Sequence, residues 1–331
     1  MNRTVLLALV AACLVSGCDD GPTVEPYVDA GPPPRVGICT PTSGTVSSIG
    51  QFAMLGELDV QISGLPDALV AICPDPQVRP ARILARVEMT DDGMGGVSAA
   101  MNVCVFELPT VFGGALACPA NPADYAEIIL APGAGLDALL PTILITFDTG
   151  LSPSEMVGNT FTTASVTVPL GTNVANTDPL PYWDTTIAGC DTAGIPADCV
   201  NNLAGVTDDD GDGELGVTLT ATASPEGLVD GEAYVAARLD ISFTGVVQNA
   251  NCTTGTVDLN LAFEIIDSDV NAAGLALTTP LVIQNIPPFD FLPTSTVKIL
   301  RADDTGLDFD DDDDGTVTCA EILNNEGQFQ R

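Results

Sequence analysis

The chain of 331 residues carries 45 acidic and nine basic residues, a formal net charge of −36, and it contains no histidine. Such a charge repels nucleic acid and anionic lipid headgroups, so we expect neither as a partner. The lack of histidine excludes Ser-His-Asp and Cys-His catalysis and removes the commonest zinc ligand. A hydrophobic content of 46% nevertheless predicts a folded core beneath the acidic surface.

The N-terminus has the features of an export signal. The basic start Met1-Asn2-Arg3 precedes an apolar run over 4–15, which is too short to serve as a permanent membrane helix. Residues 14–18, Leu-Val-Ser-Gly-Cys, resemble the lipobox of bacterial lipoproteins. The resemblance implies that residues 1–17 are removed and that Cys18 receives a lipid, which anchors the chain to a membrane of the cell envelope. The alternative is an ordinary secretory signal that ends near a cysteine.

A tether is predicted for residues 18–37. This stretch contains five prolines and three glycines and shows no apolar periodicity. Such a composition favours an extended, polyproline-like segment that lifts the folded part off the membrane. Whether the anchor lies in the outer membrane or at the periplasmic face of another bacterial membrane is left open.

Between about residue 45 and residue 302, apolar and polar residues alternate with a period of two, as in half-buried strands. Predicted strands cover 57–62, 82–89, 97–108, 143–147, 161–168, 217–223, 234–244 and 257–265, with turns at 91–93 and 249–251. Helical periodicity is limited to short pieces at 122–130 and 136–140. The pattern predicts a mostly β, antiparallel body of the sandwich or barrel type.

The body is divided into 38–205, a β-rich domain or first half, and 206–302, a second β-rich half. Two Asp/Gly-rich turns, at 90–97 and 207–214, each precede an alternating strand and suggest that the halves are related. Residues 303–331 then form a short acidic C-terminal segment.

Eight cysteines follow Cys18, namely Cys39, Cys73, Cys104, Cys118, Cys190, Cys199, Cys252 and Cys319. An even number in an oxidising compartment predicts disulfides. We expect the short-range pairs Cys190–Cys199 and Cys104–Cys118.

The sharpest metal-site pattern lies in residues 310–321. Asp310, Asp312 and Asp314 alternate, Gly315 follows them, and Glu321 ends the stretch. The pattern resembles the calcium-binding loop of the EF-hand family, which requires oxygen ligands at positions 1, 3 and 5, glycine at 6 and a bidentate Glu at 12. The resemblance implies that Ca²⁺ is bound by the carboxylates of Asp310, Asp312 and Asp314, the carbonyl of Thr316, the hydroxyl or a bridging water at Thr318, and both oxygens of Glu321. The alternative is a solvated acidic tail.

The loop departs from the family at its start, where residues 303–306 have the composition of a turn instead of an entering helix. A poorer copy spans 208–219. It has Asp208, Asp210, Asp212 and Gly213 in the matching places, but Leu219 stands where the bidentate Glu is needed. This copy is either a metal loop completed from elsewhere in the chain or a polar hairpin turn.

An enzyme is not predicted. No nucleophile elbow, P-loop or dinucleotide-binding glycine pattern occurs. Two Asp-Thr-Gly turns, at Asp148 and Asp304, resemble the aspartic proteases, in which two carboxylates share a proton. Leu151 and Leu307 follow these turns and depart from the family pattern. Tyr182-Trp183 is interpreted as an aromatic pair of the core or of a turn.

These observations lead to three functional hypotheses. The first is a non-catalytic, lipid-anchored envelope protein, braced by disulfides and binding calcium. The second is a β-rich ligand carrier or adhesion module, which binds an apolar ligand or a protein partner in a cavity lined by small residues: Ala99, Ala221, Ala223 and Ala237. The third is an aspartic hydrolase, which requires Asp148 and Asp304 within hydrogen-bond reach.

Overall fold

The computed structural model describes residues 37–65, 68–304 and 307–330, and these residues form one compact unit. The predicted signal peptide, Cys18 and almost all of the tether lie outside the described residues. The first ten strands are β1 (Thr45–Ser47), β2 (Gly50–Ile62), β3 (Val70–Ile72), β4 (Gln77–Asp91), β5 (Val97–Glu107), β6 (Thr110–Ala115), β7 (Ala126–Pro132), β8 (Ile145–Asp148), β9 (Ser154–Met156) and β10 (Thr160–Thr162).

The remaining strands are β11 (Val166–Leu170), β12 (Val217–Ser224), β13 (Val229–Asn249), β14 (Cys252–Ala272), β15 (Leu275–Leu277), β16 (Phe289–Phe291), β17 (Thr296–Arg301), β18 (Asp303–Asp304) and β19 (Leu307–Asp308). The α-helices are α1 (Ala134–Leu139), α2 (Pro196–Cys199), α3 (Thr279–Asn285) and α4 (Cys319–Asn324). Short 3-10 helices occupy Pro122–Asp124, Leu140–Thr142, Leu203–Gly205 and Glu326–Gln330. The mostly β prediction is therefore confirmed.

One large antiparallel sheet contains most of these strands, in the order β3-β6-β7-β12-β13-β14-β17-β2-β4-β5-β8. Its centre is the hairpin of β13 and β14, each 21 residues long. One edge of β13 pairs successively with β10, β11 and β12, so a single strand supports three short ones. The predicted turn at 249–251 forms the tip of this hairpin.

The sheet curls so that β6 and β7 lie against β4 and β5. Alternation places one face of each strand inside the curl, where Leu58, Ile83, Met101 and Ile241 are at most 2% exposed. Burying such side chains fully contributes about 1.5–3 kcal/mol each. Strands from both 38–205 and 206–302 enter this sheet, while the relationship of the two halves stays a prediction.

Four disulfides join all eight cysteines: Cys39–Cys252, Cys73–Cys118, Cys104–Cys319 and Cys190–Cys199. The predicted Cys190–Cys199 pair is confirmed and the predicted Cys104–Cys118 pair is wrong. β3 pairs antiparallel with β6, and the chain turns after β6 at Leu116, which has φ +59°. Cys118 thereby lies beside Ile72 and meets Cys73. Cys104 on β5 lies instead beneath the C-terminal segment, where it meets Cys319.

The two predicted helices had different outcomes. Residues 136–140 lie in α1 and the 3-10 turn after it, as expected. Residues 122–130 form only a 3-10 turn and then β7, because Ala126 and Ile128 are buried while Glu127 and Ile129 are exposed. This period of two is the burial pattern of a strand.

Candidate metal centre

The acidic loop of residues 310–318 connects β19 to α4. The hairpin of β18 and β19 precedes it, and α4 begins directly after Thr318. In the residues that the structure describes, a β-hairpin therefore precedes the loop in place of an entering helix, and a helix follows it.

Buried apolar side chains hold the loop from both sides. Phe309 precedes the loop, Val317 lies near its end and Ile322 follows it, and each is at most 1% exposed. They pack with Leu84 and Leu300 on the outer face of the large sheet. The Cys104–Cys319 disulfide attaches the start of α4 to β5. The position of the loop is thus fixed by core packing and a covalent bond.

Gln51 on β2 binds the loop backbone with both ends of its amide. Its Nε2 donates to the Gly315 carbonyl at 2.8 Å, and its Oε1 accepts from the Val317 N–H at 2.8 Å. Gly315 has φ +82°, a conformation that favours glycine. The glycine at position 6 therefore makes the turn that presents these groups to β2. Local spacing around the loop does not reveal Gln51, which lies 264 residues from Gly315 in the chain.

The three aspartates converge. Asp310, Asp312 and Asp314 each offer a carboxylate oxygen, and these oxygens lie within 4.8 Å of one another. Asp310 also accepts hydrogen bonds from the N–H groups of Asp314 and Gly315, at 3.1 and 2.8 Å. Thr316 is exposed, and its N–H donates to Asp314 Oδ1 at 2.7 Å. The arrangement gathers carboxylate oxygens, the donors that Ca²⁺ prefers.

Glu321 has a different environment from the three aspartates. It is 8% exposed, and its Oε1 accepts from the Asp311 N–H at 2.9 Å. Its Oε2 accepts from the N–H and hydroxyl of Thr318, both at 2.7 Å, while the Thr318 hydroxyl accepts from the Glu321 N–H. This is a capping box at the start of α4. The Thr-x-x-Glu spacing of residues 318–321 is the sequence signal for such a box.

The pKa of Glu321 shifts in the opposite direction from that of Asp312. Hydrogen bonding by the Thr318 hydroxyl, joined by backbone N–H groups, lowers the pKa of Glu321. For Asp312, the Asp314 N–H acts to lower the pKa, but desolvation and the negative charges of neighbouring carboxylates outweigh it and raise the pKa. A cation among the aspartates would relieve this repulsion. The donor set of Asp310, Asp312 and Asp314 therefore fits calcium, whereas ligation by Glu321 would replace hydrogen bonds that it makes as a cap.

The second acidic loop also gathers its carboxylates. Asp208, Asp210 and Asp212 offer oxygens within 4.8 Å of one another. Desolvation is the main cause that raises the pKa of Asp210, and its Oδ1 is buried without a hydrogen-bond partner in the described structure. Its Oδ2 accepts from the Thr218 N–H at 2.8 Å. Leu219 lies in β12, so the twelfth position supplies no carboxylate here.

Two of the alanines predicted to line an apolar cavity lie in the packed core of the described structure. Ala99 and Ala237 are 2% and 4% exposed and pack in the core. A cavity lined by Phe52, Phe161 and Ile299 has a volume of only about 20 Å³. A larger open groove of about 490 Å³ lies between β8 and β11.

The remaining predicted residues are only partly described. Asp148 ends β8, and its Oδ1 accepts from the Gly150 N–H at 2.8 Å in a local turn. The side chain of Asp304 and residues 305–306 lie outside the described part, so the predicted carboxylate pair stays a prediction. Trp183 is 4% exposed and packs on the Cys190–Cys199 disulfide, which confirms its place in a core.

No helix in the described ranges is long and apolar enough to cross a membrane. Comparison of the chain with protein-family models, with curated proteins and with solved structures found no match.

Proposed function

We propose that the protein is a non-catalytic, lipid-anchored protein of the bacterial cell envelope that binds one calcium ion in the loop of residues 310–321. The convergence of Asp310, Asp312 and Asp314 beside a turn at Gly315 is the observation that carries the calcium assignment. Calcium would neutralise the carboxylates and strengthen the docking of the C-terminal segment on the sheet. The ion has a structural role in this account.

The test is a calcium titration by calorimetry of the chain from Asp19 onward, beside the Asp312→Asn and Glu321→Gln variants. Because affinity follows the number of charged ligands, Asp312→Asn is expected to weaken binding by at least about tenfold. Glu321→Gln weakens binding to the same extent only where Glu321 gives up its capping hydrogen bonds to bind the ion. Asp258→Asn is the matched control, since Asp258 is exposed on β14 and distant in sequence from the loop. No heat with the parent chain, or equal affinity in Asp312→Asn, would remove calcium from the proposal.

The lipid anchor has its own test, because it rests on residues 14–18 alone. The full chain produced in a Gram-negative host is expected to partition into detergent and to carry the mass of a lipidated Cys18 after loss of residues 1–17. Cys18→Ser is expected to abolish both, whereas Cys13→Ser leaves them unchanged. A parent chain without added lipid mass would contradict the anchor and leave the calcium assignment untouched.

A further inference from the structure

The large sheet curls until its β8 edge meets β11. Every neighbouring pair of strands around the curl is antiparallel, in the order β8, β5, β4, β2, β17, β14, β13 and β11. β8 and β11 touch but share no backbone ladder in the described ranges. The curl is therefore interrupted by a seam with an unpaired strand edge on each side.

The backbone groups that face the seam follow from strand alternation. The Thr149 N–H donates to Val97 across the β5 side, so Phe147 and Ile145 turn their backbone groups toward β5, and Thr146 turns its groups toward the seam. Directly after β11, the Gly171 N–H donates to Asp209 and the Gly171 carbonyl accepts from the Thr207 N–H, so neither group pairs with β13.

The same alternation turns the backbone of Thr167 and Pro169 toward the seam. Proline lacks an N–H, so β11 presents fewer donors than its length suggests. The edge of β8 at Thr146 is the more complete template for a further strand.

The seam opens into the groove of about 490 Å³. Apolar side chains line it on both sides, and Leu144 at its rim is 61% exposed. β11 is five residues long, which gives the groove a length of about 17 Å at roughly 3.4 Å per residue. These dimensions suit a short extended segment, with apolar side chains inward and the backbone paired to an edge.

One end of the groove is acidic. Asp209 lines it, and Asp137 is exposed on the adjacent α1. α1 lies against the 208–212 loop, since a Cβ on Gly135 would stand 2.5 Å from the Asp210 carbonyl oxygen. Among the described residues, no lysine or arginine lines the groove. Charge complementarity therefore favours a basic occupant at this end and disfavours an acidic one.

We propose that the groove binds an extended, basic segment of a partner protein, which adds as a strand to the free edge of β8 and lies against β11. Its basic residues meet the Asp209 end of the groove. Pairing fixes affinity through the backbone, while alternate apolar side chains fill the groove. This interaction surface is independent of calcium and of the lipid anchor.

The test uses the full chain in non-ionic detergent and a fluorescein-labelled peptide of two lysines followed by alternating valine and threonine. Fluorescence anisotropy is expected to show saturable binding. Thr146→Pro removes the seam-facing donor while leaving the β5 ladder paired, and it is expected to weaken binding by about tenfold. Thr146→Val keeps the donor and is the matched control, with binding expected to stay within about twofold.

Two further arms separate strand addition from simple charge attraction. A peptide N-methylated at alternate valines cannot complete the ladder and is expected to bind as weakly as the parent peptide binds Thr146→Pro. Asp137→Lys leaves the β8 edge intact. It is expected to reduce the preference of the chain for the peptide with two lysines over a peptide with two glutamates in their place. This variant keeps the proposal testable if Thr146→Pro fails to fold.

Three outcomes would overturn the proposal. Equal binding of the parent and N-methylated peptides would reduce the interaction to attraction by the acidic surface. An unchanged lysine preference in Asp137→Lys would remove the acidic end from the site. A concentration-dependent dimer of the chain that Thr146→Pro abolishes would assign the edge to a second copy instead of a basic partner.

Discussion

Glu155 on β9 shows how a single buried carboxylate holds the chain segments on either side of a short strand. It is 8% exposed, and it accepts from the N–H and hydroxyl of Ser152 at 2.7 and 2.6 Å and from the Asn159 amide at 2.5 Å. Burial acts to raise its pKa, but the bonds from Ser152 and Asn159 outweigh burial and lower it. The folded state therefore favours the charged form of Glu155.

Glu155→Gln is expected to destabilise the fold by about 1–3 kcal/mol at neutral pH. Ser152 and Asn159 donate to different carboxylate oxygens, and the glutamine amide replaces one of these two acceptors with a donor. The pKa of Glu155 is lower in the folded state than in the unfolded state. Its charge therefore stabilises the fold fully above the unfolded-state pKa, and this stabilisation is lost as the pH falls through the folded-state pKa. The difference in unfolding free energy between parent and variant should therefore shrink as the pH falls below 4.5, the ordinary pKa of a glutamate. Urea unfolding along a pH series measures the gap, with exposed Glu226→Gln as the control. A gap that does not change with pH would contradict the role given to its charge.

At the scale of elements, alternation predicts strands well where one face is buried. The run at 257–265 lies inside β14, and 217–223 lies inside β12. The ends of these strands were missed because β14 continues through Thr253 and Thr256, which pair with β17 without an apolar pattern. The converging aspartates of the loop are readable from local spacing. Gln51 and Cys104, by contrast, reach the C-terminal segment only through the tertiary fold.

A long-range and a short-range disulfide can be compared to test how much the Cys104–Cys319 bond to α4 stabilises the fold. Cys104–Cys319 spans 215 residues and Cys190–Cys199 spans nine. Because a longer closed loop restricts the unfolded chain more, Cys104→Ala with Cys319→Ala should cost about 2–3 kcal/mol more than Cys190→Ala with Cys199→Ala. This expected difference takes into account that the Cys39–Cys252 disulfide already shortens the loop that Cys104–Cys319 closes. Urea unfolding of both double variants measures the difference, and equal losses would mean that native packing outweighs chain entropy.

At the scale of the whole molecule, the net charge of −36 opposes compaction through self-repulsion. Raising NaCl from about 0.01 M to 1 M shortens the screening length from about 30 Å to 3 Å. The melting temperature should therefore rise with NaCl in every variant that keeps the acidic surface. This general effect has to be separated from specific binding of calcium.

Asp312 allows that separation. Its raised pKa means that the fold disfavours its charge, so Asp312→Asn is expected to melt above the parent chain when calcium is chelated. With calcium at about 100 times its Kd, the parent gains about 2.7 kcal/mol through binding to the folded state, and the order of the two melting temperatures should reverse. Thermal melts followed by circular dichroism, in CaCl₂ and in NaCl at equal ionic strength, show which of the two chains has the higher melting temperature in each salt. The same order in both salts would mean that calcium acts on this protein by screening alone.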